Sequence, residues 1–379
     1  MSARPAPTLA EMDVAGRVGR LRRALAGSGS EAFLCTSLFN VRWLTGFTGS
    51  NGWLVVTDEE MVLITDGRYT EQAGDEIAAA RVEARVETGH TRSKMIEHLR
   101  QAVAASGETA VAFEAANVSF ADHATFAEAI QIEWKPTSGI VEGLRRAKDA
   151  GEIDRMAHAA AIADEALARA LVTVGSEPTE AEFRDTLEWE MRRLGADGPS
   201  FDTIIAAGAN AALPHHHPDD TRVVEGMTVV IDFGALFDGY HSDMTRTFTI
   251  GDPTPVQAEV YDVVLAAQAA GVAAVAAGAS GRGIDDLCRS SIADAGWGAW
   301  FTHGTGHGVG LQIHESPWLT QSYDDILRPQ DVVTVEPGVY RKDFGGVRIE
   351  DMVVVTTDGC LPLTKTSKDS PCLPSPPTT

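Results

Sequence analysis

Five residues in the second half of the chain are of types that bind divalent cations: Asp232, Asp243, His307, Glu336 and Glu350. Asp232 closes the apolar run VVID, where a carboxylate is costly to bury unless it is paired or bound to a cation. Asp243 follows eleven positions later, after a glycine-containing turn, so a strand-turn-strand hairpin can bring the two carboxylates together. Close carboxylates repel, and a divalent cation relieves the repulsion. Glu336 ends the run VVTV just before Pro337, and Glu350 lies in RIEDMVVV, where alternation puts it on the same face as Arg348. His303, His307 and His314 sit among glycines that let a backbone turn tightly and approach a ligand closely. Taken singly, each has an ordinary reading as a turn acid, a core histidine or a solvent-facing carboxylate. As a set they read as a carboxylate and imidazole metal site, suited to Mn, Co, Fe or Zn over a thiolate-preferring ion. Two ions held this way can activate water to hydrolyse an amide bond.

Such residues must be placed by a framework, and the composition allows one. The 379 residues are 44% hydrophobic and 22% charged, enough for a sizeable core and for two domains. The formal net charge is -23, which argues against nucleic-acid binding and against an anionic membrane surface. Cys35, Cys288, Cys360 and Cys372 are scattered and form no disulfide framework, so a reducing compartment fits. The N-terminal stretch lacks the apolar core of a secretory signal, and no apolar run reaches the length of a membrane span. These features point to the cytoplasm.

The first part of the chain reads as a small α/β domain. Helical spacing covers 11–27, with Val14, Val18, Leu21 and Leu25 on one face. Strands are expected at 31–36, 52–57, 61–65 and 110–113, the middle two as a hairpin, and a helix at 91–105. A long amphipathic helix follows at 152–172, with Asp149 and Glu152 placed as a capping box, and a second helix at 179–194. From about residue 200, glycine-rich turns separate apolar runs that read as an antiparallel sheet, interrupted by a helix from Pro255 to Ala277, with 266–279 read as buried helix. The expected division is 1–145, 146–368 and a proline-rich tail, 369–379, whose end PCLPSPPTT is expected to be disordered.

The blocks VVIDFGALFDGYHSDMTRTF, HGTGHGVGLQIHE, VVTVEPGVY and GVRIED resemble the metallopeptidases of the pita-bread fold, the family of methionine aminopeptidase, aminopeptidase P and prolidase. The ligand order Asp, Asp, His, Glu, Glu and its spacing of 11, 64, 29 and 14 fit that family. NVRWLTGFTGSNGWLVV and ITDGRYTEQA, with His303 and Arg348, resemble its Xaa-Pro peptidase branch. The resemblance implies an α/β N-terminal domain of creatinase/prolidase type before an α+β pita-bread domain. It implies two divalent ions (Mn, Co or Zn, with Mn favoured), proline-containing peptides as substrates and a homodimer.

Residue by residue, the resemblance makes Asp243 and Glu350 bridging ligands, gives Asp232 to one ion, and gives His307 and Glu336 to the other. Glu336 is also the general base. His215 matches a substrate-side histidine, although His216 and His217 follow directly and the assignment can slip. His215 and His314 would stabilise the tetrahedral oxyanion, and His303 would orient the substrate. Arg348 and Tyr240 match residues near the substrate. A proline nitrogen carries no N–H, so a pyrrolidine-reading apolar wall is needed, for which Phe201, Phe233 and Tyr240 are candidates. Two other readings are a hydrolase of non-peptide C–N bonds on the same fold, and a binding module without catalysis. Retention of all five ligands weighs against creatinase-like members and against the binding module.

Overall fold

The structure is a computed structural model that describes residues 8–26 and 29–373. It divides into two compact units, one formed by Met12–Arg145 and the other by the residues from Arg146 on together with those before Met12.

The first unit is built on a six-stranded sheet. Its order is Arg85–Thr88, Met61–Thr65, Gly52–Val56, Ala32–Cys35, Ala110–Glu114, Glu133–Thr137. The expected hairpin is present, with Trp53 opposite Ile64 and Leu54 opposite Leu63. Both outermost strands pair in parallel with their neighbours. They were not expected from the sequence, because an edge strand exposes half its side chains and RVET and EWKPT carry little apolar signal. The first helix is Arg17–Leu25, shorter than expected, although Val14, Leu21 and Leu25 are buried. Helix Arg92–Ala105 is capped by the Thr91 side chain and packs Leu99 and Val103 against Val111 and Phe126.

The second unit opens with helix Ala150–Ala170, whose Asp149–Glu152 capping box satisfies two backbone donors. Helix Glu180–Leu194 has the same device in Thr179 and Glu182. Their inner faces bury Leu167, Phe183, Leu187 and Met191 against Ile231, Phe233 and Phe248. The expected single antiparallel sheet is instead divided. Strands Ile204–Ala207, Thr228–Phe233 and Met244–Thr249 form one sheet. Gly306–Gly308, Glu315–Leu319, Val332–Val335, Asp351–Val355 and Cys360–Pro362 form another, and Gly338–Arg341 pairs with Gly345–Arg348.

Helix Pro255–Ala274 ends before the expected Ala277, since Val275 turns back to Val272 and Gly278 has φ +87. A further helix, Gly281–Asp294, is capped by Ser280; two glycines in its first turn hid it from the periodicity. Part of the expected disordered tail is tied down. Thr249 N donates to the Pro371 carbonyl, Cys372 bridges to Thr249, and Leu373 packs on the core. Residues 374–379 lie outside the described region. No helix among the described residues is long and apolar enough to cross a membrane.

Candidate active site

Asp232 lies in strand Thr228–Phe233, opposite Thr245. Beyond Phe233 the chain makes a short excursion through Ala235–Phe237 and Tyr240–His241 and returns at Asp243. Asp238 (φ 47) and Gly239 (φ 73) turn the excursion in the left-handed region that tight hairpins require. Its two limbs cross so closely that a Cβ on Gly234 would lie 1.8 Å from the Ser242 carbonyl oxygen. The two aspartates therefore reach one site by the expected strand-turn-strand route.

His307 is in the middle of Gly306–Gly308, which pairs with Glu315–Leu319 on one side and Val332–Val335 on the other. A Cβ on Gly306 would lie 2.0 Å from the Thr334 carbonyl oxygen, so the glycine permits this approach. The Thr334 hydroxyl accepts from His307 N (3.1 Å) and donates to Glu336 Oε1 (3.3 Å), linking two candidate ligands. His307 Nδ1 lies 3.0 Å from the Gly308 carbonyl, which can only accept, so Nε2 carries the lone pair. Nε2 is 3.4 Å from Glu336 Oε1 and 3.6 Å from Asp243 Oδ2. Donor atoms of Asp243, His307 and Glu350 all lie within 4.8 Å of one another.

Glu350 lies in the link between Gly345–Arg348 and Asp351–Val355. Its N–H donates to the Thr245 carbonyl (3.1 Å), and its Oε2 accepts from the Thr245 hydroxyl (2.7 Å). Arg348 Nε donates to that same hydroxyl (3.0 Å), so Arg348 and Glu350 do share a face. Arg348 also donates from Nη1 to Tyr340 OH (2.8 Å) and pairs through Nη2 with Asp232 Oδ2 (2.5 Å). Tyr340 OH lies 2.8 Å from His303 Nε2, and His303 Nδ1 lies 2.8 Å from the Gly304 carbonyl. The carbonyl fixes the proton on Nδ1, so Tyr340 donates to Nε2 while accepting from Arg348. Both nitrogens of His303 are thus engaged within the protein.

The electrostatics follow from burial. Desolvation, then the neighbouring carboxylates Glu350 and Asp232, push Asp243 well above the usual carboxylate range. Desolvation, then Glu336, does the same to Glu350. Burial pushes Glu336 up to about 8, against the opposing pull of Arg348. Burial lowers His307 to about 4 and His303 to about 3, so both imidazoles are neutral at physiological pH. Asp232 Oδ1 is buried with no hydrogen-bond partner. A cluster of buried acids with one orphaned oxygen and a neutral imidazole lone pair fits divalent cations bound through oxygen and nitrogen.

A cavity of about 550 Å³ opens on this cluster. The five acid and imidazole residues, His215, His303, His314 and Arg348 all line it. Tyr240 does not: its ring is buried and its hydroxyl donates to Glu152 Oε1 (2.9 Å). Phe233 is likewise fully buried in the core, and of the three candidate wall residues only Phe201 lines the cavity. Its apolar companions are Ile204, Pro214, Ile313, Trp318 and Tyr323, with Trp318 and Tyr323 stacked at 5.7 Å. All three consecutive histidines line the cavity; His216 bonds Glu180, His215 and His217 are exposed, and His215 interacts electrostatically with His303 and His314. Sequence reasoning missed Thr245, Thr334 and Tyr340. All three lie inside quoted motif blocks, but hydroxyls that bridge ligands have no periodic signature.

A pita-bread domain with buried carboxylates, a neutral histidine and a supporting arginine defines a metallopeptidase of the creatinase and prolidase fold. The comparisons agree. The chain belongs to metallopeptidase family M24, whose sequence profile matches residues 154–357, and the creatinase/prolidase N-terminal domain matches residues 17–147. It is 39% identical to an uncharacterized peptidase of Bacillus subtilis (strain 168) over 354 residues, 93% of this chain and 99% of that one. An Xaa-Pro dipeptidase from Bacillus anthracis superposes with a TM-score of 0.90 at 38% identity, covering 95% of this chain and 100% of that one. An X-Pro aminopeptidase from Thermotoga maritima gives a TM-score of 0.83 at 34% identity, covering 93% and 98%.

Proposed function

We propose that this chain is a dinuclear-metal-dependent peptidase that cleaves the Xaa-Pro bond at the N-terminus of peptides or in Xaa-Pro dipeptides. The observation that carries the reading is the convergence of Asp232, Asp243, His307, Glu336 and Glu350 with Arg348 on one cavity. Relatives that share nearly the whole chain and are named for Xaa-Pro peptide cleavage support the choice of bond.

Asp232, Asp243, His307, Glu336 and Glu350 would hold two divalent ions, with Asp243 and Glu350 shared, Asp232 serving one ion, and His307 and Glu336 the other, as the family resemblance implies. Manganese is favoured, with cobalt and zinc compatible with the same donors. When bound, the ions supply Lewis acidity that polarises the scissile carbonyl and makes water acidic enough to attack near neutral pH. Glu336 takes the proton of the attacking water and passes it to the departing proline nitrogen. His314 and His215 face the cavity and stabilise charge developing on the carbonyl oxygen. His303 holds Tyr340, which with Arg348 fixes Asp232, so its part is to position this chain of groups. Phe201, Ile204, Trp318 and Tyr323 give the cavity apolar surface for the residues flanking the bond. A homodimer in the cytoplasm completes the reading, and four free cysteines accord with that compartment.

The test is turnover of an Xaa-Pro dipeptide and an Xaa-Pro tripeptide with added Mn²⁺ or Co²⁺. Hydrolysis of either supports the reading, and the ratio separates dipeptidase from aminopeptidase. Hydrolysis of neither overturns it.

A further inference from the structure

We propose that Glu180 is the positioning residue for His215, acting through His216 and the loop that carries both histidines; this rests on the reading of His215 as a substrate-side group. Glu180 is the first residue of helix Glu180–Leu194 and has no exposed surface. Its Oε1 accepts from Ala207 N (2.7 Å) and Asn210 Nδ2 (3.1 Å). Its Oε2 accepts from His216 Nε2 (2.6 Å) and Asp219 N (3.1 Å). Every donor comes from residues 207–219, so one buried carboxylate gathers both limbs and the centre of a single loop.

That loop needs such an anchor. Its first limb is held by the turn Gly208–Ala212, with Ala211 buried in the core; beyond that turn it has no regular structure, and Ala181 N donates to the Asp219 carbonyl (3.1 Å) at its far end. Asn210 Nδ2 also donates to Thr221 Oγ1 (3.1 Å), and Thr221 N donates to Asp219 Oδ1 (2.7 Å). Pro214, His215, His216 and His217 border the cavity. Tying His216 to Glu180 fixes the backbone on which the adjacent His215 stands, exposed to the cavity and within electrostatic reach of His303 and His314. The helix N-terminus favours a carboxylate at this place, and charge-assisted bonds make the clamp stiff.

The donor atoms of Glu180, His216 and Asp219 also lie within 4.8 Å of one another, a spacing compatible with a cation. The hydrogen bonds decide against that occupant. Four donors fill the four acceptor positions of Glu180, and His216 Nε2 must carry a proton to donate to it. The cluster is a clamp.

The experiment uses the metal-loaded full chain with Glu180→Ala, which removes all four acceptors, and Glu180→Gln, which keeps the shape if the Ala variant does not fold. A displacement of His215 on the order of 1 Å is expected to lower kcat on an Xaa-Pro dipeptide about 10- to 100-fold, with bound metal and KM little changed. Amide exchange at Ala207 and Asp219 accelerates. In a His215→Ala background the Glu180 substitution causes no further loss, because the group it positions is gone. Wild-type kcat in Glu180→Gln, unchanged exchange, or the same fold-loss with and without His215 overturns the proposal. A wild-type protein without Xaa-Pro turnover overturns the reading of the site, and the proposal with it, and that control alone identifies the case.

Discussion

Arg348 Nη2 lies 2.5 Å from Asp232 Oδ2, while Oδ1 of the same aspartate is buried with no partner. One oxygen is held by protein, and the other is left for a cation. The arginine reaches three partners from three nitrogens: Asp232, Tyr340 and Thr245. A lysine presents a single point charge and cannot reproduce this fork. Arg348→Lys is expected to lower kcat/KM and metal affinity by about 10- to 100-fold, read by steady-state kinetics and metal titration. Wild-type values would separate the ion pair from catalysis.

Tyr340 connects His303 to Arg348 through one hydroxyl. Tyr340→Phe keeps the ring and removes both bonds, leaving buried polar groups without that partner. The expected cost is about 1–3 kcal/mol of stability and about a tenfold loss of kcat, measured by denaturant unfolding and kinetics. The same substitution at Tyr240, whose hydroxyl meets Glu152 away from the cavity, is expected to change stability but not kcat.

The acid cluster stores repulsion in the metal-free protein. Asp243 is held well above the usual carboxylate range by burial and by Glu350, Asp232 and Glu336. Asp243→Asn removes a carboxyl group whose ionisation these surroundings oppose. After chelation, this variant is expected to melt above the chelated wild type, while its activity with added metal falls by about 100-fold or more. Differential scanning calorimetry with and without chelator reads the first effect. A lower melting temperature in the chelated variant would contradict it.

Lys148 Nζ lies 2.9 Å from Glu315 Oε1, and both side chains are buried. Glu315 immediately follows His314, so the pair also fastens the histidine-bearing segment. Lys148→Met takes the cation from a buried carboxylate and is expected to cost about 3 kcal/mol, read as a lower urea midpoint. An unchanged midpoint would show that the rest of the surroundings of Glu315 suffice.

Much of this was legible in the sequence because the signals were local. Strand Met61–Thr65 and the Asp149–Glu152 capping box follow from short-range pattern alone. The metal-ligand candidates were legible as types at apolar run ends, and the family resemblance supplied their roles. What the sequence hid was tertiary. Nothing near Tyr240 signals that its hydroxyl turns to Glu152, 88 positions away, or that Tyr340 bonds His303 in its place. The anchoring of His216 depends on Glu180, 36 positions earlier. The polar edge strands Arg85–Thr88 and Glu133–Thr137 were missed because they bury too little to print a period of two.

The central claim is that Asp232, Asp243, His307, Glu336 and Glu350 together hold the ions that enable amide hydrolysis. Its most direct measurement is metal bound per chain, by elemental analysis after equilibration with Mn²⁺, taken alongside Xaa-Pro turnover across the same titration. The account predicts two equivalents in the wild type, turnover that rises with occupancy, and loss of both in Glu350→Gln. Turnover that persists in chelator, or two equivalents retained in Glu350→Gln with full activity, would contradict it.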